Sequence, residues 1–284
     1  MRALMEAARR KNSVLVAGID PVPSRFPEEL RALPEAEATL QFCAGILEAV
    51  EPYAAAVKLQ AAFFERLGPA GMEIYESLID AAKGLDLPVI ADVKRGDIGP
   101  VASAYAEAHL GVYGATCVTI NPYMGEDAVL PFLEETRKQA RGGGVFVLVA
   151  TSNPSASELQ ESTTPPLFER AADLVARLGE PDGDHPDAGA VVGVTRPEIG
   201  ARVRELLPEV LFLSPGYGAQ GGDASAVRPL LDRHGKGVLV NSSRSILYAH
   251  REPRYGACFG NDWEKCVEQA VLDMRADLTS FVNS

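Results

Sequence analysis

Several common chemical signatures are missing from these 284 residues. The four cysteines, Cys43, Cys117, Cys258 and Cys266, are scattered and form no CxxC pair, so they read as free thiols. No cluster of His, Cys and carboxylates has the spacing of a metal site, so none is expected. His109, His185, His234 and His250 read as structural or solvated. The first apolar run leads into "AGIDPVPSRFP", which is not the glycine-rich fingerprint of a dinucleotide fold. There is no GxSxG nucleophile elbow. Basic charge is also short: 27 Lys and Arg stand against 39 Asp and Glu, a net charge of −12. That argues against a general nucleic-acid surface, and any anionic ligand must be held by local cations and backbone amides. No stretch approaches the roughly 20 apolar residues of a membrane span. The opening "MRALMEAARRKN" lacks the apolar core of a signal peptide, so a cytoplasmic protein is expected.

What is present is a rhythm. Short apolar, β-branched runs occupy residues 13–20, 54–60, 87–94, 115–122, 144–152, 188–195, 209–216 and 236–243. Continuous runs of this length suit strands buried on both faces, as in a parallel sheet. Helical spacing lies between them. Leu40, Cys43, Ile46, Leu47 and Val50 share a face, as do Met72, Tyr75, Leu78, Ile79 and Ala82. So do Leu167, Ala171, Leu174, Val175 and Leu178; then Ile199, Val203 and Leu206; and finally Trp263, Val267, Ala270, Val271, Met274, Leu278 and Phe281. About eight strands alternating with helices indicate a single-domain (β/α)8 barrel spanning residues 1–284, with an open doubly wound sheet as the alternative. Segments 153–166 and 179–187 are expected to be surface loops.

In such a barrel the active site lies at the C-terminal ends of the strands. Those ends carry Asp20, Lys58, Asp92 with Lys94, Asn121, Thr151 with Ser152, the glycine-rich "SPGYGAQGGDAS" (214–225), and Ser243 with Arg244. Lys58 sits in the apolar "AAAVKLQAAFF", and a buried lysine needs a carboxylate partner or loses its charge. Two-residue alternation puts Asp92 and Lys94 on one face of strand three, where they can meet Lys58. A glycine-rich loop can bring backbone N–H groups to an anion and can move. Arg244 beside helix-opening N–H groups makes a natural phosphate site at strands seven and eight.

These residues together resemble the orotidine 5′-phosphate decarboxylase family over essentially the whole chain. "DVKRGD" matches its DxKxxD motif; Asp20, Lys58, "PGYGAQGG" and "NSSRSI" follow in order. "ADVKRGDIG", "TSNPS" and "PGYGAQG" are similar in particular to the longer bacterial subfamily. The resemblance implies decarboxylation of orotidine 5′-monophosphate to UMP without metal or organic cofactor. It implies that Lys94 protonates C6 of the pyrimidine and that Asp92 sits beside the substrate carboxylate. Lys58 and Asp97 would complete a Lys–Asp–Lys–Asp array, with Asp97 and Ile98 reaching the partner's site in a homodimer. Asp20 would bind the ribose, Ser152 the pyrimidine, and Gln220, Ser243 and Arg244 the phosphate, with the Gln220 loop closing over the substrate. One position departs: relatives often carry threonine where this chain has Val101, which puts one cross-subunit hydroxyl contact in doubt. Three other readings remain open here. One is a metal-dependent phosphosugar decarboxylase or aldolase of the same superfamily, another a Schiff-base aldolase, and the third a non-catalytic nucleotide-binding regulator.

Overall fold

The computed structural model describes residues 1–218 and 224–282. Eight parallel strands close into a barrel in chain order: β1 (Leu15–Ile19), β2 (Ala56–Gln60), β3 (Val89–Arg95), β4 (Cys117–Ile120), β5 (Gly144–Ala150), β6 (Ala188–Val192), β7 (Phe212–Pro215) and β8 (Val238–Ser242). Closure comes from β1 pairing back to β8, with Leu15 opposite Val240. Each expected run contains its strand except the third, where β3 runs one residue further to Arg95, and the polar ends of the runs (Asp20, Asn121, Thr151, Ser152, Ser243) lie just past the last paired residues. There the backbone leaves its neighbours' ladder and the side chains turn toward the barrel mouth.

The interior is a packed core at its N-terminal end. Val16, Ala56, Ile90, Cys117, Phe146, Val191, Leu213 and Leu239 form one buried cluster. Leu4, Met5 and Ala8, from the helix Arg2–Lys11, join that cluster, so this helix stoppers the barrel opposite the strand ends that carry charge. A second, larger cluster lies between the outward strand faces and the surrounding helices. Its helices include Glu35–Val50, Gly68–Gly84, Leu167–Leu178, Pro197–Leu206 and Trp263–Val282, the five that the apolar spacing anticipates. No described helix is long and apolar enough to cross a membrane.

Three local expectations change. Leu40 is exposed, and Phe42 takes its place on the buried face of its helix, stacked on Phe26 and tilted against Trp263. Segment 153–166 contains a short helix, Ala156–Gln160, tied back by Gln160, which accepts from the Thr151 N–H and donates to its hydroxyl. Segment 179–187 forms a two-stranded ribbon that buries His185 and Asp187, the latter holding Arg137. A loop-like composition did not reveal either set of long-range partners.

Candidate active site

A cavity of about 670 Å³ opens at the C-terminal ends of the strands. Asp20, Lys58, Asp92, Lys94, Ser152, Ser243 and Arg244 all line it. Its floor is apolar where Leu148, Val191 and Leu213 point inward. Gln220 lies outside the described residues, as does the centre of its loop. The loop's first part is described: Gly216 and Gly218 take φ of 106° and 76°, conformations that favour glycine, and flank the nearly buried Tyr217, which bonds Asp277.

Four charged groups form a chain across one side of the cavity. Lys58 Nζ lies 3.6 Å from Asp20 Oδ1 and 2.8 Å from Asp92 Oδ2, and Lys94 Nζ reaches Asp92 Oδ1 at 2.5 Å. Two further donors complete Asp92: Gln60 Nε2 at 3.0 Å and the Thr119 hydroxyl at 2.8 Å. A carboxylate has about four acceptor positions, and here each is taken. Burial pushes the Asp92 carboxyl upward, but Lys58 and Lys94 outweigh it and hold the group well below the usual carboxylate range. Burial alone would lower Lys58; Asp92 and then Asp20 reverse the sign and raise it above an ordinary lysine. Asp20 Oδ1 is buried and accepts no hydrogen bond from the protein.

Asp92 and Lys94 meet, though not by simple alternation. The pairing of β3 with β4 slips between Ala91 and Arg95: Ala91 lies opposite Val118 and Arg95 opposite Ile120. Four steps on one strand therefore match two on the other, and Lys94 sits in the left-handed region at φ 47°. A non-glycine residue there costs of order 1–3 kcal/mol and persists only when its surroundings hold it. The bulge leaves the Lys94 side chain half exposed above a buried Asp92.

Next to Asp20, the end of β8 packs tightly against β1. An added Cβ at Gly18 would lie 2.0 Å from Ser243 Oγ, so the missing side chain in β1 is what admits Ser243. Gly193 does the same for Ser152, whose Cβ lies 2.8 Å from the corresponding point. Tyr248 links the two strand ends: its hydroxyl donates to the Asp20 carbonyl at 2.9 Å and accepts from the Val22 N–H at 2.8 Å. Asp97 and Ile98 do not join the cavity. Asp97 Oδ1 accepts the Ile98 N–H at 2.9 Å, and the Ile98 side chain is exposed.

The family model for orotidine 5′-phosphate decarboxylases and the HUMPS family matches residues 15–257, which spans the whole barrel. The chain belongs to this family. Orotidine 5′-phosphate decarboxylase of Rhodopirellula baltica is 40% identical over 296 residues, covering 97% of each chain. The enzyme of the same name from Caldicellulosiruptor bescii is 38% identical over 306 residues, covering 99% of this chain and 98% of its own. The solved structure of Leishmania donovani OMP decarboxylase superposes with a TM-score of 0.78 at 29% identity, over 99% of this chain and 98% of that one.

Within this decarboxylase barrel, sequence reasoning missed Thr119, Gln60, Asn241, Arg25 and Tyr248, all of which line the cavity. Gln60 and Thr119 carried a usable signal, since each points inward on its strand two residues from a recognised or inward-facing neighbour. Tyr248 carried none, because its role depends on where β1 ends. Among the described residues, no three His, Cys, Asp or Glu side chains converge as a metal site requires.

Proposed function

We propose that this chain converts orotidine 5′-monophosphate to UMP and CO₂, with Lys94 delivering the proton to C6. The carrying observation is the Lys94 ammonium seated on a fully saturated Asp92 carboxylate in the same cavity that Arg244 lines. Loss of CO₂ leaves an electron pair on C6 with no resonance sink. A cation fixed beside C6 stabilises that pair electrostatically and then becomes its acid. Asp92 is held well below the usual carboxylate range, so it cannot relieve contact with a substrate carboxylate by taking a proton. The repulsion ends when the carboxylate departs as neutral CO₂.

The rest of the substrate follows the cavity. Asp20, with an unused buried acceptor, suits a ribose hydroxyl. Ser152 reaches the base, and Ser243 and Arg244, with Gln220, take the phosphate. Binding energy from that distant phosphate helps organise the reacting end. Asp97 and Ile98 would serve the site of a second subunit. Exposure of Ile98, Val101, Tyr123 and Met124, apolar side chains beyond β3 and β4, supports that homodimer. The free thiols suit a reducing compartment and support a cytoplasmic location.

Following the loss of orotidylate absorbance with pure protein tests the reaction. Wild type should turn over, and Lys94→Ala should lose at least about 1,000-fold in kcat. Near-wild-type activity of that variant would remove Lys94 from its role.

A further inference from the structure

The bulge in β3 has a single side chain behind it. Thr119 is 2% exposed and faces inward from β4. Its Oγ1 accepts the backbone N–H of Val93 and that of Lys94, each at 3.1 Å, and donates to Asp92 Oδ1 at 2.8 Å. A hydroxyl has one donor and two acceptor positions, so Thr119 has no capacity left over. Consecutive N–H groups of an ordinary strand point in opposite directions and could not share one oxygen. They converge here within the slipped segment of β3, immediately before the left-handed Lys94.

We propose that Thr119 is a positioning residue for decarboxylation, its hydroxyl fixing in one stroke the Asp92 carboxylate and the left-handed backbone from which Lys94 reaches it. The proton of the hydroxyl is committed to Asp92, because both lone pairs already hold N–H groups. The direction of the bond is therefore set and Asp92 stays an acceptor. Packing does not explain the choice: valine has the same shape, and the inward neighbour two residues before, Cys117, sits in an apolar cluster. The inference rests on the decarboxylase reading, since only a reaction that needs Lys94 over C6 would register a small displacement of its backbone.

The test compares Thr119→Val and Thr119→Ser with wild type in steady-state decarboxylation of orotidine 5′-monophosphate, with UMP binding and thermal unfolding measured alongside. Thr119→Val should lower kcat by about 100-fold, as misplacement of a reacting group by an ångström does, while KM and UMP affinity move less than about threefold. Thr119→Ser, which keeps the hydroxyl, should stay within about threefold of wild type. A merely structural threonine would lower the melting temperature of Thr119→Val and leave kcat near wild type, which overturns the proposal. So does an equal loss in Thr119→Ser, or a loss confined to KM. If Thr119→Val does not fold, Thr119→Ala carries the same expectation with the same serine control. Failure of the wild-type protein itself would instead overturn the decarboxylase reading.

Discussion

Asp92 accepts from Lys58, Gln60, Lys94 and Thr119, contributed by four different positions on three strands. Two of these partners were legible because a charge in an apolar run demands a counter-charge. The other two are neutral; alternation marks them as inward-facing, but that they meet Asp92 is visible only once β2 and β4 stand beside β3. The same pairing sets a stability window. Asp92 is depressed, so its contribution is present above its ordinary value near 3.8 and is lost as pH falls through its lower folded value. Lys58 is raised, so its contribution is present below 10.5 and is lost as pH rises through its higher folded value. Lys58→Met should therefore destabilise the protein by about 3 kcal/mol at neutral pH, because it strands part of a buried negative charge. Urea unfolding across pH checks this: the difference between wild type and variant should be flat through the neutral range and shrink toward strong alkali.

The strands and helices were readable from periodicity, whereas the departures from periodicity were not. Alternation joins Asp92 to Lys94 correctly for an incomplete reason. The slip between β3 and β4 depends on Thr119, Ile120 and Asn121 in the neighbouring strand, whose Asn121 N–H bonds the Arg95 carbonyl at 2.7 Å. Close approach between strands was equally invisible, because a glycine in a run such as "LVAGI" announces flexibility before it announces a neighbour. Gly18→Ala tests that approach. Its methyl group would displace Ser243 from the mouth of β8. UMP affinity should fall about tenfold, equivalent to about 1.4 kcal/mol, while uridine affinity changes little. Calorimetric titration of the two ligands reads the difference, and equal losses for both would point to general damage instead.

At the scale of the molecule, the stretch from Asp92 to Ile98 divides. Asp92 and Lys94 face this chain's cavity, while Asp97 and Ile98 turn outward. The proposed shared-site homodimer makes a quantitative claim about mixtures. Lys94→Ala and Asp97→Ala, each inactive alone, should recover about a quarter of wild-type activity after subunit exchange. Half of randomly assembled dimers would be mixed, and each mixed dimer holds one site free of both changes. Exchange demonstrated by tagged subunits without any recovery would contradict a shared site.

The helix Arg2–Lys11 gives the barrel a direction. With Leu4, Met5 and Ala8 wedged among the inward residues of the strands, the described barrel is a flask stoppered at its base. Nucleotide arrives and CO₂ departs through the same neck. Leu148, Val191 and Leu213 form an oily floor between that neck and the stoppered base, so both products leave on the side where the nucleotide enters.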